Sequence, residues 1–166
     1  MKKAIVTGAN GFVGGATLRE LLRNGYEVWA VGHQDHFSNV PEDPGVHKVS
    51  CDLADIKKLT EKVPVDKYDL FYHFAWAGSA GPARADTALQ LNNVQWTVDA
   101  LRTAKELGCR RFVCAGSIVE HETMAAAYTQ GNRPGLGYIY GSGKLAAHTM
   151  CMSVAASIGI ELVWPE

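Results

Sequence analysis

Glycines stand three residues apart in Thr7-Gly8-Ala9-Asn10-Gly11-Phe12-Val13-Gly14. They follow the short apolar run Ala4 to Thr7 and open a segment, Phe12 to Arg23, whose apolar residues Phe12, Ala16, Leu18, Leu21 and Leu22 recur at helical spacing. The sequence therefore asks for a buried strand that turns at once into a helix, and each glycine has its own task in the turn. At Gly8 the backbone has to bend sharply, at Gly11 a side chain would obstruct an approaching ligand, and at Gly14 the helix has to lie close to the strand. The amides of a helix's first turn lack partners within the helix and carry its partial positive charge, so the turn holds a diphosphate without help from lysine. That matters here, because a formal net charge of -1 gives no general attraction to nucleic acid or to an anionic membrane. The turn thus points to a dinucleotide, NAD or NADP, held by Gly8, Asn10, Gly11, Phe12, Val13 and Gly14.

The remainder of the chain alternates between strand and helix patterns. Strands are predicted over 27–31, 46–50, 70–75, 111–115 and 160–164, and helices over 55–63, 85–107 and 139–158, with Gly25 and Gly108 closing helices. This rhythm predicts one Rossmann-type domain over residues 1–166, a doubly wound parallel sheet in three α/β/α layers with strand order 3-2-1-4-5-6. Two stretches, 33–45 and 120–137, are longer than the connections such a fold needs and are expected to be loops beside the site. Cys51, Cys109, Cys114 and Cys151 form no CxxC pair, which suits reduced thiols in a cytoplasm and gives no metal site. Polar and glycine residues interrupt the first apolar run, so a signal peptide is not expected, and no run approaches the roughly 18 apolar residues of a membrane span.

With these glycines set beside Tyr140-Gly-Ser-Gly-Lys144, the chain resembles the extended short-chain dehydrogenase/reductase superfamily, in particular its NAD-dependent epimerase/dehydratases acting on nucleotide sugars. The likeness runs from Met1 to the end. It implies that Asp52-Leu53 border the adenine, that Phe74, Ala75 and Trp76 of the fourth-strand segment run along the cofactor, and that Asn93 is the asparagine of the helix that follows. The second strand ends Val31-Gly32-His33-Gln34, where a carboxylate for the NAD ribose is expected. His33 either meets a ribose 2′-phosphate or is a solvent-exposed histidine, which leaves NAD and NADP both open. Two departures bear on substrate choice: Trp96 replaces the family's glycine in Asn-Val-x-Gly-Thr, and Glu120-His121 replaces Val-Tyr-Gly after the serine. The chain also stops where the family continues into a smaller sugar-binding lobe, so that lobe is expected to be absent and the chain to be a fragment.

Tyr140 and Lys144 lie four apart, which on a helix sets both on one face. A nearby ammonium favours phenolate and brings a tyrosine toward the working range of a base. Tyr138 has no such partner, since Ser142 follows at that spacing. By resemblance, Ser117 hydrogen-bonds the substrate oxygen, Tyr140 takes or gives its proton, and Lys144 also bonds the nicotinamide ribose; the competing role for Ser117 is a helix cap or loop bond. His73, in an apolar strand, is expected to be packed rather than basic, and Cys114 and Cys151 to be inert. The expected activity is epimerisation, dehydration or keto-reduction of a nucleotide sugar; the alternative is an NAD(P)-binding regulatory protein without turnover. The helices over 85–107 and 139–158 resemble the superfamily's dimerisation pair, implying a homodimer.

Overall fold

A computed structural model describes residues 2–166. Its six strands are β1 (Lys2–Thr7), β2 (Tyr26–Gly32), β3 (Val46–Ser50), β4 (Tyr68–His73), β5 (Cys109–Cys114) and β6 (Glu161–Val163). All pair in parallel, in the order β3-β2-β1-β4-β5-β6, as the alternating pattern predicts. The helices are α1 (Phe12–Arg23), α2 (Leu59–Lys62), α3 (Thr87–Glu106), α4 (Val119–Tyr128) and α5 (Tyr138–Ile158), with 3-10 turns at Leu53–Lys58 and Gly81–Ala85.

Alternation along the central strands sorts the core onto two faces. Ala4 and Val6 of β1, with Val28 and Ala30 of β2, pack under Leu18 and Leu21 of α1. Ile5, Trp29, Val31, Phe71 and Phe112 point the other way, toward Val98, Leu101 and Ala104 of α3 and Cys151 and Ala155 of α5. The sheet is thereby the middle of three layers, and the heads of β1, β2, β3 and β4 meet along one edge, where ligands of such sheets bind.

Local rules set most element ends. Asp86 caps α3, accepting from the Leu89 amide at 3.0 Å. Gly159, at φ +69°, ends α5 in the left-handed conformation. The expected helix over 55–63 is a 3-10 turn running into the four residues of α2. The stretch 120–137, expected to be a loop, holds α4 instead. Its residues Met124 to Ala127 are good helix formers, but its apolar residues form no single stripe, so periodicity gives no signal. The stretch 33–45 does stay irregular, anchored by buried Val40 and by bonds between Asn39 and Asn10. Among the described residues no helix is long and apolar enough to cross a membrane.

Candidate functional site

Gly8 takes φ +68°, and a Cβ there would lie 2.8 Å from the Ala75 amide nitrogen, inside contact distance. A Cβ on Gly14 would sit 2.1 Å from the Gly8 carbonyl oxygen, so α1 approaches the turn only because position 14 has no side chain. At Gly11 a Cβ would meet nothing but that same oxygen, at 3.2 Å, and would stand on the open side of the turn. Gly11 is the N-cap of α1 and brings no side-chain hydrogen bond, which leaves the first-turn amides to a ligand. Phe12 and Val13, at the start of α1, are 93% and 52% exposed.

The turn opens into a cavity of about 650 Å³ lined by Gly8, Asn10, Gly11, His33, Asp52 and Trp76, with Leu53, Ala75 and Trp96 completing its apolar walls. Its volume is that of a cofactor site. Among the described lining residues none is lysine or arginine. The carboxylate missing from the end of β2 arrives from the end of β3: His33 Nδ1 donates to Asp52 Oδ1 at 2.5 Å. Phe12, Val13, Gly14, Phe74, Asn93 and Lys144 do not line the cavity. Asn93 is buried and ties down the segment after β4, donating to the Ala77 carbonyl at 2.7 Å and accepting from the Ala77 amide at 2.9 Å. Phe74 packs into the core against Tyr72.

Tyr140 and Lys144 occupy one face of α5 and both contact Trp76, the former edge-on at 6.1 Å between centroids, the latter with Nζ 3.9 Å from the ring centroid. Trp76 is therefore a wall shared by the cavity and the tyrosine–lysine pair, fixed by its indole N–H donating to Gln90 Oε1 at 2.9 Å. Lys144 is 5% exposed, donates to the Ala115 carbonyl at 3.0 Å, and is held below its usual pKa by burial. Burial likewise pushes the Tyr140 phenol up, opposed by a Ser117 hydrogen bond and by the guanidinium of Arg84, whose Cζ stands 4.4 Å from the ring centroid. The cation against the tyrosine ring is thus Arg84, whereas the Lys144 ammonium rests on Trp76 and Ala115. Arg84 was not visible as a site residue, because only the turn before α3 carries it to Tyr140.

Of the two roles the sequence offers Ser117, the structure shows the loop bond. Its Oγ accepts from the Val119 amide, the first of α4, at 3.4 Å, which leaves its hydroxyl proton free to be donated. His73 is packed, as its apolar strand suggests: Nδ1 meets Thr7 Oγ1 at 2.9 Å, Nε2 meets Thr97 Oγ1 at 3.3 Å, and burial pushes its pKa down to about 3. All four cysteines are free and buried, and burial pushes the Cys151 thiol up to about 12, which removes it as a nucleophile.

Known proteins resemble this chain in sequence and fold. UDP-glucose 4-epimerase 2 of Arabidopsis thaliana is 28% identical over 128 residues, covering 70% of this chain and 36% of that protein. A crystal structure of UDP-galactose 4-epimerase superposes with a TM-score of 0.75 at 25% identity, over 98% of this chain and 54% of the other. UDP-glucuronic acid 4-epimerase from Bacillus cereus, solved in complex with NAD, gives a TM-score of 0.71 at 20% identity over 98% of this chain and 55% of its own. The chain thus spans between about a third and a half of the length of the relatives it matches. The pattern of the NAD dependent epimerase/dehydratase family matches residues 4–165, nearly the whole sequence, and the chain belongs to that family.

Proposed function

We propose that the protein binds NAD in the cavity at the head of the sheet and that Ser117, Tyr140 and Lys144 serve proton and hydride transfer at a sugar carbon of a nucleotide sugar. The observation that carries this reading is the common wall: Tyr140 and Lys144 both rest on Trp76, which lines the cavity. The relatives named above are epimerases of nucleotide sugars, and one was solved with NAD. NAD is favoured over NADP because the Asp52 carboxylate, held by His33, would oppose a ribose 2′-phosphate and no lysine or arginine lines the cavity to offset it.

The bound dinucleotide would supply the hydride acceptor and donor. The chain's own residues handle the proton. Tyr140, its pKa raised by burial, is a neutral phenol at rest and is ready to donate to a keto oxygen. Ser117 would donate a hydrogen bond, keeping its proton, to the phenolate that forms or to the substrate oxygen. Lys144, bonded to Ala115 and stacked on Trp76, is placed to bond a ribose hydroxyl next to that wall. A second reading, NAD binding without turnover, is favoured by the resting position of Lys144, whose ammonium contacts Ala115 and Trp76 rather than Tyr140.

Titration with NAD and NADP decides the binding claim, read through the fluorescence of Trp76 and Trp96. Quenching by NAD at concentrations at least ten-fold below those of NADP is expected, and no response to either removes the proposal. Tyr140→Phe is expected to lower turnover of UDP- and dTDP-sugars by at least about 10²-fold with NAD binding unchanged. NAD binding with no turnover of any sugar nucleotide selects the second reading.

A further inference from the structure

The Glu120 side chain is buried, 2% exposed. Its Oε1 accepts from the Ser117 amide at 2.9 Å and from the Trp164 indole N–H at 3.1 Å. Its Oε2 accepts from His148 Nδ1 at 2.8 Å. The Glu120 amide in turn donates to the Ser117 carbonyl at 2.9 Å, a backbone turn leading into α4. A bond to one backbone amide needs no burial, since glutamates make such bonds at helix ends in water. Withdrawing a carboxylate from solvent is costly unless every oxygen is bonded, and here three elements supply the donors. The third is informative: His148 follows Lys144 by four residues and Tyr140 by eight, on the same face of α5. His148 and Trp164 stack with centroids 4.6 Å apart and planes 3° from parallel, which fixes both donors.

We propose that Glu120 is a positioning residue: its carboxylate ties the Ser117 backbone to the face of α5 that carries Tyr140, and so keeps the serine hydroxyl on the phenol. This rests on the acid/base reading of Tyr140 given above. Without the tie, Ser117 would keep the 3.4 Å bond from the Val119 amide and the backbone bond from the Glu120 amide, but its own amide would lose the carboxylate that holds it toward α5.

The test compares Glu120→Gln with Glu120→Ala, both of which remove the charge, while only glutamine keeps an oxygen for the Ser117 amide. Ionisation of Tyr140 is followed by NMR of the chain labelled with ¹³C-tyrosine, its signal assigned with Tyr140→Phe. At a given pH, E120A is expected to show about ten-fold less Tyr140 phenolate than E120Q, and faster hydrogen exchange at the Ser117 amide. In the E120A background, adding Ser117→Ala is expected to change the titration little, whereas in the E120Q background it is expected to lower the phenolate to the E120A level. Equal titration in E120Q and E120A overturns the proposal. Should E120A fail to fold, Glu120→Asp against wild type makes the comparison at constant charge, since the shorter acid cannot reach the Ser117 amide; less phenolate supports the proposal and an unchanged titration overturns it. These readouts need no cofactor, so absence of NAD binding would defeat the function while leaving the role of Glu120 to be decided separately.

Discussion

At Gly14 one missing carbon decides whether the turn exists. A methyl there would fall 2.1 Å from the Gly8 carbonyl oxygen, a backbone atom that moves only if the whole bend moves. Gly14→Ala is expected to destabilise the chain by about 2 kcal/mol or more and to abolish NAD quenching. Gly135→Ala, whose methyl would meet nothing within 4 Å, serves as the neutral control in the same urea titrations. His73 gives a pH signature. Its folded pKa lies near 3, against about 6.5 in the unfolded chain, so the unfolded state binds the extra proton between those values. Stability is therefore full above pH 6.5 and falls as the pH drops, by about 1.4 kcal/mol per pH unit from this group alone. Unfolding free energies of wild type and His73→Gln, measured from pH 6.5 to pH 4, should diverge with that slope; parallel curves would show that His73 takes a proton in the fold. The glycine roles and the packed histidine were legible in sequence because they depend on what one side chain lacks or on one strand's burial. The His33–Asp52 pair was not, since it joins residues 19 apart through the register of β2 on β3.

Between elements, α4 and α5 approach as closely as Gly141 allows. A Cβ at Gly141 would lie 2.0 Å from Thr123 Oγ1 and 3.0 Å from the Val119 carbonyl oxygen. Thr123 Oγ1 is itself buried without a hydrogen-bond partner, so the contact is packing and carries no polar bond. Gly141→Ala is expected to cost about 1–3 kcal/mol by pushing α4, and Ser117 at its start, away from Tyr140. Adding Thr123→Ala clears most of that space, and the double variant should recover more than half of the lost stability in thermal denaturation. Additive losses would show that the helices meet elsewhere. The six strands and the long helices were legible because each carries its own period, two or 3.6, and its own terminators. Helix α4 escaped for the converse reason: alanines, and a glutamate turned inward, give it no apolar stripe, and its single advance sign was Ser117 with Glu120 three residues on. Burial of that glutamate depends on His148, 28 residues away in sequence, and on Trp164 at the chain's end, which no local pattern announces.

For the molecule as a whole, α5 presents a surface that a lone domain does not need. Its 21 residues include no Asp, Glu or Arg, and its one lysine, Lys144, is buried. Ser142, Thr149, Ser153 and Ala156 form an exposed stripe, flanked by Met150 and Met152, which are 52% and 56% exposed. Solvated helix faces ordinarily carry charge, and a stripe without any is the composition of an interface core. With exposed Leu91 on the neighbouring α3, we propose that the surface meets its own copy in a two-fold dimer. A helix of this length runs about 30 Å, enough to anchor the roughly 800 Å² that each partner of a stable interface buries. Sedimentation at micromolar concentration is expected to give a dimer. Near a two-fold axis a single substitution places two like charges face to face, so Thr149→Glu is expected to yield monomer, whereas Glu122→Gln on α4 leaves the dimer intact. Because position 149 points away from Trp76, the monomer should still bind NAD, and that separates loss of assembly from loss of fold. A wild-type chain that sediments as monomer at every concentration would refute the interface.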